Sequence, residues 1–256
     1  MKIQFIRNAT MIISYGAQNI IVDPCLGPKG SLPPYTLFRR FPRFNPVVQL
    51  PENINQALED ITAGLITHCR LGHFDHLDKS GARLLSKKQV PVYCNVLDEA
   101  YLKKRKLSTI PLYPEKRQKF LEGSITPCKT SHGYGFIGRL MGPGAGYFIE
   151  LPGEPSLYIS GDTVLTPIVR NVLSSLKPDI SFLWAGTPVL DIGGPILMPM
   201  DEMLEFIHLA PGIVIASHME AFNHCTTTRA GLKQAVHQAG LTDKVRIPED
   251  GEVIMV

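Results

Sequence analysis

Cysteine is sparse and unpatterned in this chain. Cys25, Cys69, Cys94, Cys128 and Cys225 are odd in number, widely spaced, and include no C-x-x-C pair. That excludes a disulfide framework and a structural zinc ribbon, and it fits a reducing compartment. Long apolar runs are missing too. The N-terminal apolar stretch is broken at Arg7 and Asn8 before it could form a signal-peptide core, and nothing approaches the roughly 18 consecutive apolar residues of a membrane span. A cytoplasmic protein without a membrane span is the expectation. Neither sign of charge is in excess: 26 Lys+Arg against 23 Asp+Glu leave a formal net charge of +3, short of the basic surface that binds nucleic-acid phosphates. The one basic run, Lys103 to Lys106 with Lys116, Arg117 and Lys119 after it, reads as the solvated face and C-terminal end of a helix, so no nucleic-acid partner is expected. No G-x-S-x-G elbow is present, which removes one familiar serine route to hydrolysis.

What is present suits a globular core. Hydrophobic residues make up 44% of the 256 and charged ones 19%, which allows one domain over residues 1–256. Alternation predicts strands at 1–6, 9–14 and 19–22, the last two turned at Tyr15-Gly16-Ala17 and ended by Asp23-Pro24, since proline cannot donate to a ladder. Further strands are expected at 63–67, 90–94, 123–129, 145–151, 156–160, 179–184, 213–216 and 244–247. Helices are expected at 55–60, 79–88, 98–106, 164–176, 200–209 and 228–239. Hairpins followed by βα units in each half imply an α/β fold of two sheets packed face to face with helices outside. Residues 25–50 break this rhythm. Pro28, Pro33, Pro34, Pro42 and Pro46 with Phe38, Phe41 and Phe44 give no helical or strand period, so the segment reads as a packed flap or insertion loop, either a substrate-side lid or a dimer contact.

Chemistry concentrates in the run from Thr67 to Asp78, where His68, His73, His76, Asp75 and Asp78 follow a buried strand. Imidazole and carboxylate groups on one loop can converge on a cation, and zinc, manganese and iron all accept such ligands. A plain helix N-terminus, capped by Asp75 or Asp78, is the competing reading. Three more ligand-type residues sit just past strand ends: His132 in T-S-H-G, Asp162 in S-G-D-T, and His218 in A-S-H-M-E. Each alone reads as a loop histidine or a helix cap. Together they require every bland reading to hold at once.

The ordered series resembles the metallo-β-lactamase superfamily, and most of all its branch of L-ascorbate-6-phosphate lactonase and N-acyl-phosphatidylethanolamine phospholipase D relatives. The Asp23-Pro24 turn, His73-x-Asp75-His76-Leu77-Asp78 and the S-G-D-T loop carry the likeness, which spans nearly the whole chain. The resemblance implies a four-layer αββα sandwich of two mixed β-sheets with helices on the outer faces. It also implies a hydrolase with one or two divalent metal ions, zinc foremost, with manganese and iron admitted. It assigns His73 and His132 to the first metal, Asp75, His76 and His218 to the second, and Asp162 to both. Asp75 would also orient the attacking water or take its proton, and His224 would contact substrate or support a ligand. The family signature is H-x-H-x-D-H, and Leu71 stands where its first histidine belongs. Either the loop bulges to return His68 to the metal, or Cys69 supplies a thiolate, or the first site lacks a ligand. The resulting expectation is a small-molecule partner, a lactone or a phosphodiester, with self-association left open. The alternatives are a binding protein with a damaged or single-metal centre and a nucleic-acid processing nuclease.

Overall fold

The computed structural model describes residues 1–70 and 72–256. Among these, two mixed seven-stranded sheets pack together, and both are built on the same plan. In the first sheet β1 (Lys2–Arg7), β2 (Thr10–Tyr15) and β3 (Gln18–Val22) pair antiparallel, then β4 (Ala63–Ile66), β5 (Pro91–Asn95) and β6 (Ser108–Leu112) add in parallel. In the second, β7 (Gln118–Phe120), β8 (Gly123–Lys129), β9 (Ala145–Glu150) and β10 (Leu157–Ile159) are antiparallel. The strands β11 (Ile180–Trp184), β12 (Ile213–Ser217) and β13 (Val245–Arg246) then continue it in parallel. The last strand, β14 (Val253–Met255), closes the outer edge of β1.

Alternation along the strands sorts their side chains between two cores. Ile20 and Val22 face the second sheet's Tyr147, Ile159 and Phe182, whereas Ile21 turns outward to Leu85 and Leu102. Those two belong to α2 (Lys79–Lys88) and α3 (Glu99–Lys103). The far face of the second sheet is covered by α5 (Pro167–Asn171), α6 (Met200–Leu209) and α7 (Arg229–Gln238), through Val169, Phe206 and Val236. Each such burial removes about 1.5–3 kcal/mol worth of apolar surface from water. The result is the four-layer order helix, sheet, sheet, helix that the sequence implied. Among the described residues no helix is long and apolar enough to cross a membrane.

Several elements depart from the sequence expectation. β6, β7 and β14 are strands that the alternation did not flag, and between β8 and β9, where no helix was expected, lies α4 (Gly135–Met141). The helix expected over 164–176 begins at Pro167, capped by Thr166, whose hydroxyl accepts from the Val169 amide at 3.2 Å, and widens over Val172–Leu176. The basic run is divided: Lys103 ends α3, pairing with Glu99 at 2.6 Å, with Lys104 to Lys106 just past it, whereas Lys116 and Arg117 lie in no helix and Lys119 belongs to β7.

The 25–50 segment has no strand or helix of its own until its end; only an isolated bridge joins Leu32 to Asn45. It is ordered from outside. The buried Arg7 guanidinium donates to the Cys25 and Gly27 carbonyls at 2.9 Å and to the Val48 carbonyl at 3.0 Å, tying both ends of the segment to β1. Asn45 and Asn223 bond each other, and the Asp191 carboxylate accepts from the amides of Leu37, Phe38 and Arg39 at 2.9–3.1 Å.

Candidate metal centre

The parallel strands of both sheets deliver their following loops to one rim, the usual place for a site in α/β proteins. From the first sheet, β4 leads into His68, His73, Asp75 and His76. From the second, β8, β10 and β12 lead into His132, Asp162 and His218. Gly161, at φ +64°, makes the turn that delivers Asp162, and an added Cβ would lie 2.6 Å from the Ala145 carbonyl oxygen. The backbone at His218 is also left-handed, φ +61°, and its amide is held by the Asn8 carbonyl at 2.8 Å.

All seven residues meet. Asp162 Oδ2 lies 2.9 Å from His132 Nε2, 3.5 Å from His76 Nε2 and 3.7 Å from His68 Nε2, while its Oδ1 is 3.7 Å from His218 Nε2. Asp75 Oδ2 is 3.5 Å from both His76 Nε2 and His218 Nε2. Three sets have ligand atoms within 4.8 Å of one another: His68, His73 and His132; His68, His76 and Asp162; and Asp75, His76 and His218. Every one of these side chains is buried.

The outer ring nitrogens show which way the lone pairs point. His132 Nδ1 meets the Ile196 carbonyl at 2.8 Å, His73 Nδ1 meets the Arg70 carbonyl, and His76 Nδ1 meets Asp23 Oδ2 at 3.1 Å. His68 Nδ1 lies 3.1 Å from Thr67 Oγ1, whose proton is given to Asp23 at 2.8 Å. These oxygens accept, so each Nδ1 carries a proton and each Nε2 faces inward, with a bare lone pair wherever the ring is neutral. His68 Nε2, His73 Nε2 and Asp162 Oδ1 are buried with no hydrogen-bond partner. Buried polar atoms without partners are costly, and a convergent set of them fits a cation.

Charge divides the cluster. Burial alone would raise the Asp75 and Asp162 carboxyls, but surrounding imidazoles, His76 foremost, outweigh it and hold both well below the usual carboxylate range. Burial works against the charged His76 ring as well, yet Asp75 and Asp162 drive it well above an ordinary imidazole. His68 and His73 move down, through burial and neighbouring imidazoles.

The loop at 68–73 carried three readings in the sequence. Leu71 lies outside the described residues. His68 stands in the cluster, its ring centroid 4.4 Å from that of His73 and 4.1 Å from that of His76. Cys69 does not take its place: the thiol packs into the helix-side core with Ile66 and Leu77, and burial pushes it up, against a thiolate. The bland readings are settled as well. Asp78, not Asp75, caps α2, its Oδ1 accepting from the Gly81 amide at 2.7 Å, and Asp162 caps no helix because Thr166 does so for α5.

A cavity of about 30 Å³ opens onto the cluster, lined by His73, Asp75, His132 and Asp162 together with Tyr35, Gly72, Met141, Leu190, Ile196 and His224. A wider depression of about 560 Å³ between Arg117, Glu122 and Glu150 lies at the β7 to β9 edge of the second sheet, away from the histidines. His224 therefore reaches the site, its ring centroid 4.4 Å from that of Tyr35. Sequence reasoning missed Tyr35, Thr67 and Trp184, the last lying 5.2 Å from the His76 ring. A single aromatic among the prolines of 25–50 gave no signal for Tyr35.

Compared with known proteins, the chain is 32% identical over 257 residues to the UPF0173 protein YddR of Bacillus subtilis (strain 168), covering 98% of each. The chain belongs to the UPF0173 family. Another member, a UPF0173 metal-dependent hydrolase of Solibacter usitatus (strain Ellin6076), is 26% identical over 189 residues, 72% of this chain and 78% of that one. A solved isothiocyanate hydrolase from Delia radicum gut bacteria superposes with a TM-score of 0.89 at 30% identity, covering 100% of this chain and 99% of its own. No family model matches. The fold is the metallo-β-lactamase fold, and the expectation of a metal-dependent hydrolase on it agrees with the names these UPF0173 and structural relatives carry.

Proposed function

We propose that this UPF0173 protein is a hydrolase that adds water to a small, uncharged electrophile with the help of divalent cations. The direction of the imidazoles supports it: outer acceptors fix the Nδ1 protons of His68, His73, His76 and His132, and the Nε2 atoms of His68, His76 and His132 lie within 3.7 Å of Asp162 Oδ2. His68, His73 and His132 would hold one ion, Asp75, His76 and His218 a second, with Asp162 between them. Zinc is the first choice, with manganese and iron open to the same ligands. When bound, such ions acidify water and polarise the substrate's electrophilic atom. Asp75, kept ionised on the cavity wall, orients that water and receives its proton. His224, on the same wall, meets the substrate.

The substrate class follows from what lines the cavity. No lysine or arginine does so among the described residues, while Met141, Leu190 and Ile196 do. A phosphodiester's charge would be met by the cations alone, with no cationic side chain beside them. A lactone, or an isothiocyanate like that of the structural relative, brings a neutral head and an apolar substituent. Water added to an isothiocyanate carbon releases a primary amine and carbonyl sulfide, which balances all atoms. The binding-only alternative rested on the leucine at 71, and His68, standing in the cluster, offers a substitute ligand. Five buried, unpaired thiols suit a reducing, cytoplasmic setting.

The test is elemental analysis after dialysis, then turnover of an aryl isothiocyanate, a simple lactone and a phosphodiester reporter. Retained metal with turnover of one of the first two, and at least a hundredfold loss of both metal and rate in His76→Ala, is the expected result. Metal without turnover of any of the three would favour the binding protein.

A further inference from the structure

Tyr35 is a guest in the metal centre. It comes from the 25–50 segment, stacks on Phe74 with centroids 4.4 Å apart at 4°, and lines the cavity. Its hydroxyl lies 2.7 Å from Asp75 Oδ1 and 2.8 Å from the Gly72 carbonyl. A phenol has one proton to give. The Gly72 carbonyl already accepts from the Phe74 amide at 2.8 Å, and a carboxylate is the stronger acceptor, so the proton goes to Asp75. That occupies Oδ1 and leaves Oδ2 as the oxygen facing His76 and His218, 3.5 Å from each Nε2.

The backbone that carries Tyr35 is fastened elsewhere. Its amide donates to Asn223 Oδ1 at 3.0 Å, the next carbonyl, of Thr36, accepts from Asn223 Nδ2 at 2.9 Å, and the following amides are capped by Asp191. Docking of the segment and orientation of a metal-facing carboxylate therefore meet in one hydrogen bond.

We propose that Tyr35 is a positioning residue that couples docking of the 25–50 segment to cation binding by Asp75, His76 and His218, an inference resting on the metal-site reading above. A docked segment presents Asp75 already turned for ligation, so the cation does not have to order it. By linkage, the factor by which docking raises cation affinity is the factor by which the cation favours docking. The segment thus closes over a loaded centre more readily than over an empty one.

The experiment uses zinc as the probe, titrated against a chromophoric chelator, with hydrogen exchange of residues 33–45 read by mass spectrometry with and without zinc. In the wild type, zinc slows exchange of the segment. Tyr35→Phe keeps the ring stack on Phe74 and removes only the hydroxyl; its affinity for the ion held by Asp75, His76 and His218 falls roughly tenfold, the worth of one hydrogen bond to a charged group. Its segment no longer responds to zinc. Asp191→Ala, which loosens the segment at a half-buried position, lowers zinc affinity in the wild type and has no further effect in the Tyr35→Phe background. Unchanged affinity in Tyr35→Phe, a segment still protected by zinc in that variant, or an Asp191→Ala protein that binds zinc like the wild type each overturns the coupling. Wild-type protein that takes up no zinc overturns the metal-site reading instead, so the two failures are distinguishable.

Discussion

Asp23 shows how much of the centre depends on a residue that would touch no ion. Its two oxygens accept from the Thr67 amide at 2.9 Å, the Thr67 hydroxyl at 2.8 Å and His76 Nδ1 at 3.1 Å. All three are donors, and the side chain is fully buried, which raises its carboxyl despite these bonds. Asp23→Asn keeps the shape but replaces one acceptor with a donor, so an N–H must face another N–H or the His76 ring must change tautomer. The expected outcome is a tenfold to hundredfold loss of metal affinity, the usual effect of removing such a support, measured by chelator competition. Wild-type affinity in this variant would mean that His76 is oriented by something else. The sequence pointed to Asp23 only as a strand-ending turn, because the partner it serves lies 53 residues away.

Among the elements, the 25–50 segment is the least regular and the most dependent on contacts from outside. Asp191 holds its middle through three backbone amides, which keep that carboxyl well below the usual range. A group depressed in the folded state contributes fully above its unfolded value of about 3.9 and loses that contribution as pH falls through its folded value. Protection of the Leu37 to Arg39 amides, corrected for intrinsic exchange, is therefore expected to hold between pH 7 and 5 and to fail only in strong acid. Asp191→Asn keeps one acceptor but no charge, so its protection should be weaker and independent of pH across that range. A protection midpoint above pH 5 in the wild type would contradict the assignment. The elements that the sequence hid were short or unpatterned. β7 and β14 have three residues each, too few for a period, and α4 buries none of its side chains, so no apolar stripe marks it. The long alternating strands and the amphipathic α2, α6 and α7 were legible because each buries one defined face.

At the scale of the molecule, the centre stitches the two sheets together. One supplies His68, His73, Asp75 and His76 and the other His132, Asp162 and His218, so an ion held between them binds the folded state alone. Free metal at 100 times its dissociation constant would add about 2.7 kcal/mol to stability. For a chain of this size that is on the order of 5–10 °C in Tm. Scanning calorimetry with and without chelator should show that shift within a single transition. Unchanged Tm on chelation would mean that the ligands do not hold an ion across the sheets.

The amino-acid sequence by itself determined the layers and the strand ends at which histidine and aspartate appear, since periodicity and turn chemistry act over a few residues. Tertiary structure alone decided that His68 stands among His73, His76 and His132, which ring nitrogens turn inward, and that Tyr35 reaches Asp75. Those outcomes depend on how two sheets stack and how a loop of irregular backbone is fastened by Arg7, Asn223 and Asp191, contacts between residues far apart in the chain that no local pattern encodes.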